Sequence, residues 1–208
     1  MLQTENLSFS YANGPSFSFP NISVKAEDVL LVLGRSGKGK TTLLHLLAGL
    51  MEPNLGSVSI DGQSITELKG SNRDSFRGKN IGMVFQQAQF IRSVSVMQNL
   101  QLARSLAGLP NDEAFAKQLL TELGIADNAN NRPSELSIGE RQRAGIARAL
   151  VTQPKVVLAD EPTSALDDEN CQLVADLLQK TVTGHGAALI IVTHDQRLKN
   201  RFPNSVEI

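Results

Sequence analysis

Nine consecutive residues carry the clearest chemistry in the chain: Gly34, Arg35, Ser36, Gly37, Lys38, Gly39, Lys40, Thr41 and Thr42. The first eight fit the spacing G-x-x-x-x-G-K-[ST] at every fixed position. Glycines let a backbone curl until successive N–H groups point at one anion. A helix following such a loop adds its positive N-terminal end. Lys40 is placed to neutralise the β- and γ-phosphates of a nucleotide, and Thr41 to ligate Mg2+. The plain alternative is a glycine-rich turn with an exposed lysine. The setting favours the phosphate reading: the apolar run Val29–Leu33 precedes the loop, and the helix-like stretch Thr42–Leu50 follows it. Kinases, GTPases and transport ATPases all use such a loop, so it does not choose among them.

A second segment narrows the choice. Lys155-Val156-Val157-Leu158-Ala159-Asp160-Glu161 is apolar until it ends in two acids. Carboxylates at the C-terminal end of a core strand lie where open α/β sheets bind ligands. Asp160 can hold Mg2+ through water, and Glu161 can polarise an attacking water. Two acids at a strand end are commonly no more than solvated, but beside a phosphate loop that becomes the weaker reading.

The elements around these segments alternate in type. Leu7, Phe9 and Tyr11, then Phe17, Phe19, Ile22 and Val24, show strand periodicity broken by the turn Asn13-Gly14-Pro15. Val29–Leu33, Val156–Ala159 and Ala187–Val192 are continuous apolar runs of the kind buried on both faces. Ser57–Ile60 with Asp61-Gly62 predicts a strand and a hairpin turn. From about Val94 to Leu150 the pattern is helical. Asp112–Leu123 sets Phe115, Leu119, Leu120 and Leu123 on one face, stopped by Gly124. Leu173, Val174, Leu177 and Leu178 mark a further helix. Strands on either side of a helical middle predict an α/β core with an inserted helical subdomain.

Leu136-Ser137-Ile138-Gly139-Glu140-Arg141-Gln142-Arg143, led by Arg132-Pro133-Ser134-Glu135, resembles the signature region of ABC-type ATPases. Four further segments fall in that family's order. Pro162-Thr163-Ser164-Ala165-Leu166-Asp167 resembles its D-loop. Ile191-Val192-Thr193-His194-Asp195 resembles its switch-histidine motif. Ile81-Gly82-Met83-Val84-Phe85-Gln86 resembles the strand and glutamine of its Q-loop. Tyr11 takes the place of the aromatic that stacks on adenine. The likeness covers nearly the whole chain.

The resemblance implies a P-loop NTPase core with a mixed, mostly parallel sheet. It adds an N-terminal antiparallel β subdomain and an inserted α-helical subdomain. The single ABC ATPase domain would span 1–208, with 1–86 and 152–208 as the core and 87–151 as the helical signature part. ATP and Mg2+ are the implied ligands. Residues 34–42 would bind the triphosphate. Thr41, Gln86 and Asp160 would serve the metal. Glu161 would be the general base, and His194 would contact the γ-phosphate. Ser137, Ile138, Gly139 and Glu140 would act on ATP held by a second chain, with Asp167 at the same interface. The implied partners are that second ATPase chain, as a homodimer, and a separate transmembrane permease. The lead-in and short length look most like the lipoprotein-release, macrolide-export and cell-division branch. A nontransport mechanical or regulatory role, as in cell-division complexes, is the alternative. A small nucleotide kinase is disfavoured because the signature and D-loop have no task there.

Composition is consistent with this. Charged residues make 20% of the chain with a net charge of −1, so no basic surface advertises nucleic acid. Aromatics are 4% with no Trp, too few for a base-stacking RNA platform. The single Cys171 excludes an internal disulfide framework. The N-terminus has no apolar signal region, and no apolar run is long enough to span a bilayer. The expectation is a soluble, cytoplasmic chain, peripheral on the inner membrane face through its permease.

Two positions depart from the family pattern. Ile138 replaces the first signature glycine, and a β-branched residue adopts positive φ only at a cost. Lys38 replaces what is usually a serine. Arg141, Arg143 and Arg148 read as helix-surface or interface charges, His45 and His185 as structural or exposed, and Cys171 as inert and without a partner. The apolar cluster Phe90, Ile91, Val94, Val96 and Met97 reads as a docking surface for the permease or as core.

Overall fold

The computed structural model describes residues 1–208 except 36, 165 and 166 and the side chains of 169 and 170. The N-terminal part is an antiparallel sheet. It is built from β1 (Leu2–Ser10), β2 (Ser16–Ser18), β3 (Ser23–Val24), β5 (Leu55–Ile60) and β6 (Gln63–Ser64). Its order is β2-β1-β5-β6, with β3 also on β1. The Asp61-Gly62 turn has positive φ at both residues, 50° and 75°, the twist that a two-residue hairpin requires.

The second sheet has the order β10-β4-β9-β8-β7, and every pairing within it is parallel. Its strands are β4 (Val29–Leu33), β7 (Ile81–Val84), β8 (Val156–Asp160), β9 (Ala188–Thr193) and β10 (Ser205–Glu207). Their continuous apolar runs follow from burial on both faces. Leu30, Val32, Val156, Leu158, Ile190 and Val192 face α1 (Lys40–Leu47) and the antiparallel sheet. Leu31, Leu33, Val157, Ala159, Leu189 and Ile191 face the opposite side, toward α3 to α6.

Those helices are α3 (Val96–Leu106), α4 (Glu113–Glu122), α5 (Ile138–Leu150) and α6 (Asp168–Gly184). Helix α2 (Gly70–Asn80) precedes β7, and the short α7 (Gln196–Lys199) follows β9. Local chemistry fixes their starts. Ser95 caps α3 in a reciprocal box with Gln98, Asp112 caps α4, and Ser137 caps α5 in a box with Glu140. The first helix differs from its sequence expectation. It begins at Lys40 and ends at Leu47, because Gly49 turns with φ 64° before Pro53. Arg104 is buried at the end of α3 and donates to the carbonyls of Pro110 and Val151, tying α3 to the end of α5.

The register of the parallel sheet positions the site. Leu33 lies opposite Thr193, Asp160 opposite Val192, and Val84 opposite Ala159. Four adjacent strands therefore release the chain at one edge, about 5 Å apart. The residues just beyond are Gly34, His194, Glu161 and Phe85-Gln86.

Candidate functional site

The loop after β4 has the geometry of an anion cradle. Gly37 and Gly39 take φ values of 81° and 89°, where a side chain is strained. A Cβ on Gly39 would lie 2.7 Å from the Phe17 ring, so this position also excludes side chains by contact. Among the described residues no side chain caps α1, leaving its first backbone N–H groups open to a ligand. Lys40 Nζ donates to the carbonyls of Gly34 at 2.9 Å and Arg35 at 3.3 Å. Arg35, Lys38 and Thr41 are exposed, whereas Thr42 is buried. Ser36 lies outside the described residues.

Glu161 is the meeting point. Its φ is 46°, an uncommon conformation for a non-glycine residue. Two bonds hold its backbone: its N–H donates to the Val192 carbonyl at 2.9 Å, and its own carbonyl accepts from the Ser164 hydroxyl at 3.1 Å. One carboxylate oxygen lies 2.6 Å from His194 Nδ1 and 3.9 Å from Lys40 Nζ. The other accepts from the Thr193 hydroxyl at 3.0 Å. A carboxylate, an imidazole and an ammonium thus converge beside the open end of α1. That set can abstract a proton from water while a cation and helix amides hold an anionic group. Next to it, burial pushes the Asp160 carboxyl above its usual range, and the charge of Glu161 adds to the shift. A cation near Asp160 would offset both effects.

The other expected residues fall around this edge. Tyr11 is 42% exposed, meets Phe9 edge-on at 4.8 Å, and shares a hydrogen bond with the Thr42 hydroxyl at 3.1 Å. Gln86 is exposed and donates to the Ser164 hydroxyl at 2.9 Å. Asp167 is exposed just before α6. Ser137, Ile138, Gly139 and Glu140 form the first turn of α5. Ile138 begins the helix and is not among the positive-φ residues, so the expected strain is absent. Its side chain is 74% exposed. The Ser137 hydroxyl donates to Glu140 at 2.7 Å, and that bond holds the Glu140 carboxyl below its usual range.

One expectation needs correcting, and three others are narrowed. Cys171 has a partner: its Sγ is 3.7 Å from Asp195 Oδ2. Arg148 is a half-buried charge where α5 meets the Phe85 and Phe90 rings, in keeping with the interface reading. It is largely desolvated, which lowers its pKa, and its guanidinium sits 5.9 Å from the Phe85 ring and 5.4 Å from that of Phe90. It also donates to the Gln89 carbonyl. Val96 and Met97 are core, leaving Ile91 as the exposed member of the apolar cluster. His185 pairs with Glu122 at 3.2 Å.

The sequence reading missed three contacts. Thr193 holds Glu161, Gln142 of α5 donates to the Pro162 carbonyl at 3.2 Å, and Asp195 with Arg197 fastens the loop after His194. Thr193, Gln142, Pro162 and Asp195 all lie in the quoted motifs, but nothing in the sequence paired them.

Comparison with known proteins agrees with this geometry. The profile of the ABC transporter family matches residues 18–164. The lipoprotein-releasing system ATP-binding protein LolD of Syntrophotalea carbinolica is 39% identical, over 95% of this chain and 90% of its own length. The methionine import ATP-binding protein MetN of Caulobacter vibrioides is 37% identical, over all of this chain and 64% of its own. A dimeric structure of a post-hydrolysis state of the ATP-binding cassette MJ0796, bound to ADP and Pi, superposes with a TM-score of 0.87. It is 28% identical, over 100% of this chain and 94% of that one.

Proposed function

The chain belongs to the ABC transporter family, and from that premise we propose that two copies close on two ATP molecules to power a lipoprotein-releasing type of permease. The chain is an ATP-hydrolysing subunit. The observation that carries our residue assignment is the convergence of Lys40, Glu161 and His194 at one sheet edge. Lys40 exchanges its carbonyl partners for phosphate oxygens. Glu161 takes a proton from water as the water oxygen bonds to the γ-phosphorus and the bond to ADP breaks. His194 Nδ1 already contacts Glu161, so the two side chains face the γ-phosphate as one unit. Tyr11 offers its exposed ring to the adenine. Thr41, Asp160 and Gln86 supply only oxygen ligands, which suits Mg2+. When bound, that ion would neutralise phosphate charge.

The relatives named as lipoprotein-releasing and methionine-import proteins favour transport over a purely mechanical role. No helix among the described residues is long and apolar enough to cross a membrane. The proposed attachment to the inner membrane face therefore runs through the permease. A groove of about 700 Å3 lies beside the Gln86 loop. Its wall includes Phe85, Phe90, Ile91, Leu102 and Leu106, with Arg77 and Arg148 among its charged lining residues. This apolar recess with a charged lining fits a short helix of the permease. Ile91→Asp places a charge on its exposed wall. Co-purification with the permease is expected to fall sharply, with nucleotide binding by the free chain unchanged. Retained co-purification would remove the groove from the reading.

The two family departures give a further test. Lys38 and Ile138 are both exposed. By resemblance they face one ATP from different chains. We expect a double-mutant cycle of Lys38→Ser and Ile138→Gly, read as ATP-driven dimerisation, to show coupling above about 0.5 kcal/mol. Additive effects would mean that Lys38 points to water.

A further inference from the structure

Beyond Glu161 and His194, one side chain ties together three segments around the site. Arg197, in the short α7, directs its guanidinium at Asp195: Nε is 2.9 Å from Oδ1 and Nη2 is 2.7 Å from Oδ2. The same guanidinium donates to the Thr163 carbonyl at 3.3 Å and to Asp168 Oδ1 at 2.8 Å. Asp195 in turn accepts from the Thr163 hydroxyl at 3.0 Å. The path continues into the site. The Asp195 N–H donates to the Thr193 hydroxyl at 3.0 Å, and that hydroxyl donates to Glu161 Oε2 at 3.0 Å.

We propose that Arg197 is a positioning residue for hydrolysis, strapping the loop that carries His194 to the segment running from Glu161 into α6. The inference rests on the reading of Glu161 and His194 as the hydrolytic pair. Geometry distinguishes it from an ordinary surface ion pair, which contributes little. The Asp195 side chain is only 10% exposed and is met by the planar fork of the guanidinium, which delivers two parallel bonds. The Arg197 bonds hold the Asp195 carboxyl down at about 2, the direction expected of a carboxylate held by a guanidinium. Asp168, by contrast, is 89% exposed, so that arm of the strap is weak. The Thr163 carbonyl and the Asp195 carboxylate carry the connection. A lysine there can pair with Asp195 but cannot form the fork and reach Thr163 together.

The strap sets how well Glu161 and His194 are aimed and leaves the phosphate loop untouched. Its loss therefore moves kcat and not nucleotide affinity. The experiment compares Arg197→Ala, Arg197→Lys and Asp168→Ala with wild type and Glu161→Gln in one ATPase assay. ATP affinity is measured by equilibrium titration of each purified chain. Arg197→Ala is expected to lower kcat by about tenfold or more, as displaced catalytic groups do. Its KM and ATP affinity should stay within about twofold of wild type. Arg197→Lys should fall between the two, and Asp168→Ala should match wild type. A wild-type kcat in Arg197→Ala overturns the proposal, as does a loss of ATP affinity matching the loss of kcat. Should Arg197→Ala fail to fold, Arg197→Lys decides: a wild-type kcat overturns the strap, and a reduced kcat with unchanged affinity supports it. If Glu161→Gln is inactive while Arg197→Ala is normal, the strap alone fails. If Glu161→Gln is fully active, the hydrolytic pair fails and the strap with it.

Discussion

Glu161→Gln is expected to keep ATP affinity, lose about 100-fold or more in hydrolysis rate, and accumulate as an ATP-bound dimer. The amide has the same shape and keeps an acceptor for the Thr193 hydroxyl, so the site should stay assembled. It removes the charge that meets His194 and Lys40 and the basicity that takes a proton from water. The unusual backbone at Glu161 is held by Val192 and Ser164 through main-chain atoms, which the substitution leaves alone. Size-exclusion chromatography with ATP and a phosphate-release assay read the two consequences separately. A variant that hydrolyses at the wild-type rate would end Glu161's role as base. A wild type whose specific activity is independent of protein concentration across the monomer–dimer range would end the dimer's role.

Lys40→Ala acts one step earlier. The ammonium is held by two main-chain carbonyls in the loop, so it is preset where a phosphate would arrive. A hydrogen bond to a charged group contributes about 1.5–3 kcal/mol, which corresponds to about 10- to 100-fold in ATP affinity. Titration with a fluorescent nucleotide measures it, and thermal unfolding of the same sample checks that the chain is intact. An unchanged affinity in a folded variant would remove the phosphate loop from the mechanism.

Much of this site was legible because its pieces are local in sequence. The runs Val29–Leu33, Val156–Ala159 and Ala187–Val192 each read as buried strands, and the structure pairs them side by side. The residues just past their ends then had to meet. What sequence did not disclose is long-range or lacks a periodic signal. Helix α2 has no buried residue, so no apolar stripe announced it. Phe90, Ile91, Val96 and Met97 are alike in type. The capping of α3 by Ser95 turns Val96 and Met97 into core and leaves Ile91 outside. Cys171 and the Thr163 and Asp168 contacts of Arg197 left no sequence signal because those partners lie many residues away in the chain. The polar bonds that aim Glu161 are of the same kind.

The close seating of α5 has a mechanical consequence. A Cβ on Gly82 of β7 would come within 2.3 Å of the Ala149 carbonyl oxygen, so the helix backbone rests directly on the sheet there. A Cβ on Gly145 would meet that of Ala88 at 2.9 Å, a second tight seat one turn earlier. At the far end of the helix the Ile138 side chain is exposed, while Gln142 is buried and donates to the Pro162 carbonyl. An element seated this firmly at one end pivots about that seat and carries along whatever its other end holds, here the Pro162 segment and Asn128. At about 1.5 Å per residue, Ser137 lies roughly 18 Å from Ala149, so a tilt of about 10° carries the tip roughly 3 Å. Arg148 and its two phenyl rings sit at the fulcrum, beside the groove. A small displacement there is therefore passed on to the segment after Glu161 as well as to the exposed turn at Ile138.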